Sequence, residues 1–104
     1  MYRVYRTETF DKKIRKLSAE EQKRIENIEQ QLKENPFVGK PLGYRFFREK
    51  KVGGKRIYYL VYDDLKVVLL VAVSDKKTQQ ATIDMIKENM PVYYEAIKGY
   101  LQES

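Results

Sequence analysis

The stretch from Phe46 to Val73, FFREKKVGGKRIYYLVYDDLKVVLLVAV, constrains this chain more than any other part, because it reads as three consecutive strands separated only by short turns. Gly53-Gly54 supplies the positive-φ residues that a two-residue hairpin needs, and Asp63-Asp64 is a second turn signal. Strands joined this tightly run antiparallel. Lys66 to Val73 is apolar on both faces, as in a strand well covered by its neighbours. Tyr44 to Val52 is mixed: alternation puts Phe46, Arg48, Lys50 and Val52 on one face and Phe47, Glu49 and Lys51 on the other, so a bulge is expected within it.

Helical signals flank this meander. Tyr2 to Arg6 alternates like a short strand, Thr7 is a plausible N-cap, and Phe10, Ile14 and Leu17 follow at helical spacing. Ser18-Ala19-Glu20-Glu21 reads as a capping box opening a helix whose stripe is Ile25, Ile28 and Leu32 and which stops at Asn35-Pro36. The two helices form an αα-hairpin, Thr7 to Leu17 and Ser18 to Glu34, whose stripes are expected to bury Ile14, Leu17, Ile25, Ile28 and Leu32 against Leu69, Val71 and Val73. Phe37 to Gly43, with two prolines and two glycines counted from Pro36, reads as a connecting loop. After Lys77 a helix carries Ile83, Ile86 and Met90, and Pro91 opens a last one, Pro91 to Gln102, with Tyr93, Ile97, Tyr100 and Leu101 on its stripe. The expected fold is α+β: a small antiparallel sheet of about four strands packed against an N-terminal αα-hairpin, with C-terminal helices, in a single domain spanning 1-104.

Composition excludes several chemistries. The chain has no histidine, so no Ser-His-Asp triad and no histidine acid–base pair. The serines are only Ser18, Ser74 and Ser104, and without cysteine neither disulfides nor thiolate metal sites exist. Asp63-Asp64 reads as turn chemistry rather than a metal site, and Gly53-Gly54 as a hairpin rather than a phosphate loop, because no helix follows it. No metal and no cofactor is expected. Residues 1 to 17 interleave cations with apolar positions, so there is no signal-peptide core, and no run reaches membrane-spanning length. The cytoplasm is the expected compartment. Twenty-one Lys+Arg against fifteen Asp+Glu give a net charge of +6, which favours a polyanionic partner; a Lys/Glu-rich surface also suits a protein from a hot environment.

Arginine, lysine and tyrosine remain as the reactive vocabulary. Cleaving RNA through its own 2′-OH needs a base for that hydroxyl, charge on the pentacoordinate phosphate and a proton for the departing 5′-oxygen; packed cations supply part of this, since mutual repulsion lowers a lysine pKa while arginine stays charged. The candidates are Arg45, Arg48, Lys50, Lys51, Lys55 and Arg56 on the middle strands, with Lys76 and Lys77 after the last strand. A solvated basic surface is the plainer reading of Lys50, Lys76 and Lys77 taken singly. Tyr58, Tyr59 and Tyr62 read as half-buried strand residues, with base stacking open to whichever faces the basic side.

The order valine, glycine, one residue, basic residue, arginine, then an aromatic strand closed by Asp-Asp resembles the RelE/ParE superfamily, toxins of type II toxin–antitoxin modules, over roughly residues 1 to 85. The resemblance implies a metal-independent endoribonuclease that cleaves mRNA on the ribosome. Arg56 corresponds to the arginine that RelE-like ribonucleases place against the substrate phosphate, facing substrate rather than core, with Arg48 or Lys51 as base or electrostatic help and Lys76 as a second phosphate contact. Arg45, Lys50, Lys55 and Lys77 would bind RNA. Ungapped matching from Arg56 puts Phe47 and Glu49 where the family has alternating lysines, and Ala81 and Thr82 near a family tyrosine. The implied partners are the ribosome, mRNA and an acidic antitoxin encoded next door, with no membrane, and Tyr94 or Tyr100 of the last helix offers a further docking surface. Two alternatives stay open: a ParE-like toxin that binds a topoisomerase without nuclease activity, and a catalytically inactive orphan whose basic face binds nucleic acid.

Overall fold

The computed structural model describes residues 1–103, in the order β1 (Arg3–Arg6), α1 (Glu8–Arg15), α2 (Ala19–Glu34), β2 (Lys40–Tyr44), β3 (Phe47–Val52), β4 (Lys55–Tyr62), β5 (Val67–Asp75), α3 (Gln79–Glu88) and α4 (Met90–Glu103). Ser104, one of the serines considered above, lies outside the described residues. The helix boundaries follow from local chemistry. The Thr7 side chain accepts the Phe10 amide at 3.1 Å to start α1. Ser18 and Glu21 exchange both bonds of a capping box to start α2. Asn35, pushed into the extended region by Pro36, ends it.

The sheet has five strands in the order β1-β5-β4-β3-β2. It is α+β as expected, with one strand more and one parallel pair, β1 against β5. The extra strand is β2, which takes Lys40 to Gly43 from the segment expected to be a loop and Tyr44 from the strand expected after it. Pro41 is tolerated there because β2 is an edge, and Gly43, at φ +86, absorbs a bulge that leaves Leu42 and Gly43 without partners between the pairs Pro41↔Arg48 and Tyr44↔Phe47. The single strand expected over Tyr44 to Val52 is therefore broken by a turn at Arg45-Phe46, and β3 itself pairs with β4 without any shift. Gly53 alone of the Gly53-Gly54 turn has positive φ, at +60.

Each sheet face carries its own core. The αα-hairpin buries Phe10, Ile14, Ile25 and Leu32 against Ile57, Tyr59, Val61, Val68, Leu70 and Val73, with Leu17 and Ile28 partly buried beside them. Each fully buried aliphatic side chain contributes about 1.5–3 kcal/mol. Leu69 and Val71, expected under the hairpin, lie instead on the opposite face with Phe47, Tyr58 and Leu60. A bulge causes part of this: Val71 has no partner on β4, so Val71 and Ala72 both turn to the second core. That core is closed by Ile83 and Ile86 of α3 and Ile97 of α4. Met90, expected on the α3 stripe, starts α4 and packs on the same core, and Pro91 sits in the first turn of α4. Tyr93, Tyr100 and Leu101, partly buried, pack against it, with the Tyr100 ring 5.8 Å from that of Tyr5. Tyr94 stays 40% exposed over Tyr62. No helix among the described residues is long and apolar enough to cross a membrane.

Candidate functional site

The two-residue turn at Gly53-Gly54 fixes the register that builds the site, pairing Lys51 with Arg56, and β4–β5 pairing sets Arg56 opposite Ser74. Residues directly opposite share a face. Lys51, Arg56 and Ser74 therefore form one row on the face covered by α3 and α4, and Glu49 and Tyr58 stand in the next row. Arg56 Nε lies 4.0 Å from Glu49 Oε1, and their side chains are 13% and 5% exposed. Gln79, the first residue of α3, donates from Nε2 to Glu49 Oε2 at 3.1 Å. Tyr58 and Ser74 share a hydroxyl–hydroxyl bond of 2.7 Å, and burial pushes the Tyr58 phenol up against the lowering effect of that bond.

Arg56, expected to face substrate rather than core, is set into the sheet face with 13% of its side chain exposed, and its buried Nε has no hydrogen-bond partner among the described residues. A mostly desolvated guanidinium holds an anion at its exposed edge more strongly than one in water. The neighbouring carboxylate both neutralises Arg56 at rest and offers a fixed proton acceptor. Sequence reasoning missed the roles of Glu49 and Gln79. The signal for Glu49 was present, since period-two alternation puts it on the face of Lys51 and, with the hairpin register, of Arg56.

The other expected residues separate into three places. Lys51 shares the Arg56 face and is exposed, and Lys76 and Lys77, also exposed, follow β5 at the same end of the sheet, beyond Asp75, whose Oδ1 takes the Thr78 amide and hydroxyl. Arg48 and Lys50 lie on the opposite face, beside the αα-hairpin. Arg48 is spent on main chain: Nε donates to the Gly39 carbonyl, Nη1 to that of Arg45 and Nη2 to that of Phe37, at 2.9, 2.9 and 3.0 Å. Lys55, on that same face, donates to Glu21 Oε2 at 3.2 Å. Arg45 stands at the far end of β3 from Arg56, its guanidinium 3.8 Å from the centre of the Phe37 ring. Tyr58 and Tyr59 are fully buried, so neither is free to stack on a base.

Asp63 is held in its turn by hydrogen bonds from Tyr2 and Lys66, and these, Tyr2 first, keep its carboxyl below the usual range. Among the described residues no group of three or more His, Cys, Asp or Glu side chains is placed to hold a metal.

No family model matches the chain, and no curated relative does. Solved structures do. A mutant of the E. coli toxin RelE in the free state matches with a TM-score of 0.72 at 22% identity, covering 84% of this chain and 96% of that one. The chain has the RelE fold. The RelE fold is matched in complexes too: the intact E. coli RelBE toxin–antitoxin complex (TM-score 0.66, 24% identity, 72% of this chain and 96% of that one) and the archaeal RelE–RelB complex from Pyrococcus horikoshii OT3 (TM-score 0.65, 19% identity, 72% and 94%).

Proposed function

We propose that this chain is the toxin of a toxin–antitoxin pair and that it cleaves messenger RNA bound in the ribosome, in the cytoplasm, without metal or cofactor. The observation that carries the reading is Arg56: a mostly buried arginine with 13% of its side chain still exposed, on a RelE-fold sheet, beside Lys51 and with Lys76 and Lys77 beyond the end of the neighbouring strand. In the reaction the 2′-oxygen attacks the adjacent phosphorus, the 2′-proton passes to a base, and the 5′-oxygen leaves and takes up a proton. Arg56 stabilises the charge gathering on the phosphate oxygens. The Glu49 carboxylate, released from Arg56 when phosphate arrives, takes the 2′-proton, the Lys51 ammonium gives the departing 5′-oxygen its proton, and Lys76 makes a second phosphate contact. Arg48 has no part in this, being bound to main-chain carbonyls on the other face.

The acidic antitoxin encoded next door would hold the toxin inactive, the +6 charge favouring fast, salt-sensitive association. One observation favours a second reading, the inactive nucleic-acid-binding homologue: Glu49 lies against Arg56, at a position where the resemblance to RelE-like ribonucleases implies a lysine. Induced expression of the wild type separates the two. Growth arrest that is relieved by co-expressing the neighbouring reading frame is expected, and normal growth under full expression would leave only the inactive reading.

A further inference from the structure

The hairpin between β2 and β3 breaks the rules of its own turn. Two-residue loops favour glycine, asparagine or aspartate with positive φ. Here the loop is Arg45-Phe46, and neither residue has positive φ, the compensating distortion being displaced into the Gly43 bulge. What the unfavourable sequence presents is an exposed aromatic pair, Tyr44 and Phe46, 48% and 36% exposed, with ring centres 4.9 Å apart. Local rules are broken in this way where a surface has a use.

The tip is held rigidly. The Phe46 carbonyl accepts the Val61 amide at 2.8 Å, and Arg48, by its three bonds to main chain, ties the turn to the segment before β2. Arg45 is stacked on Phe37, and the Lys87 ammonium lies 3.9 Å from where a Cβ on Gly43 would stand. The acid that acts on Arg45, Asp63, is already engaged by Tyr2 and Lys66. Rigid, exposed rings beside Arg45 and Lys87 are suited to an unpaired nucleobase and its phosphates: the ring faces stack on any base and the two cations meet the backbone.

We infer that Tyr44 and Phe46 form a stacking platform for an unpaired base of single-stranded RNA. This rests on the reading above that the chain acts on RNA. Tyr44 pairs with Phe47 and so points to the Arg56 face, and Phe47 to Lys51 spans roughly 13 Å along β3, so one strand of RNA reaches both places. The base belongs either to the message or to ribosomal RNA, and Arg48 is the positioning residue that fixes the turn.

The test compares full-length wild type with Tyr44→Ala, Phe46→Ala and the conservative Tyr44→Phe, each shown to be folded by its melting curve. One arm follows binding to a fluorescein-labelled ten-nucleotide oligouridylate by anisotropy; the other follows co-sedimentation with purified ribosomes. Each alanine variant is expected to bind about tenfold more weakly in at least one arm, with Tyr44→Phe at wild-type affinity. Weakening on the oligonucleotide assigns the base to message-like RNA, and weakening on ribosomes alone assigns it to ribosomal RNA. Wild-type affinity in both arms overturns the proposal, as does an effect confined to binding of the neighbouring frame's protein. Loss of RNA binding in a chain whose wild type cleaves no message would leave the platform standing and remove the nuclease reading.

Discussion

Removing the Arg56 side chain should destabilise the protein before it informs on catalysis. Arg56→Ala leaves the Glu49 carboxylate, 5% exposed, with Gln79 as its remaining side-chain partner. Breaking a buried ion pair from one side costs about 3–5 kcal/mol. The 4.0 Å separation and the surviving Gln79 bond put this case at the lower end, about 3 kcal/mol, out of a total of about 5–15 kcal/mol for a small domain. With a urea slope of about 1.5 kcal/mol/M, the unfolding midpoint followed by circular dichroism falls by about 2 M. Replacing both partners, Arg56→Met with Glu49→Leu, removes the stranded charge and should restore wild-type stability or exceed it. A shift below about 0.5 M for Arg56→Ala, or a double variant no better than the single one, would refute the claim that the pair is desolvated.

Tyr62 has a buried hydroxyl with no hydrogen-bond partner among the described residues, so Tyr62→Phe should leave stability unchanged or raise it by about 1 kcal/mol in the same urea assay. A Cβ on Gly39 would stand 2.5 Å from the Glu49 carbonyl oxygen and 2.6 Å from the Tyr59 hydroxyl; Gly39→Ala should cost about 1–3 kcal/mol, seen as a fall of about 5–20 °C in Tm. Burial pushes the Tyr58, Tyr59 and Tyr62 phenols up, whereas unfolded tyrosine ionises near about 10. The stability this contributes is complete below that pH and is lost as pH rises through the folded values. Absorbance titration should show these three ionising only as the protein unfolds; all tyrosines titrating together near pH 10 would contradict it.

Local signals carried much of the fold. Thr7, Ser18 with Glu21, and Asn35-Pro36 each act on hydrogen bonds within a few residues, and each ends or starts a helix where the sequence put it. What could not be read depends on distant partners. Proline and glycine in KPLGY signal a loop, and only an edge position beside β3 makes that segment a strand. The unpaired Val71 moves side chains between faces with no mark in an all-apolar run. For the site, alternation alone separated Arg48 from Lys51, but assigning Arg56 to the side of Lys51 needed the hairpin register. The Glu49–Gln79 bond joins residues thirty apart and had no sequence signature.

The most direct test of the account is primer extension on ribosome-bound message, comparing wild type with the stable Arg56→Met/Glu49→Leu double variant. Cleavage by the wild type and a loss of about 10²-fold or more in the double variant are predicted, since the phosphate-stabilising charge and the carboxylate base are both removed from a folded protein. Equal cleavage by both, or none by the wild type, would contradict it.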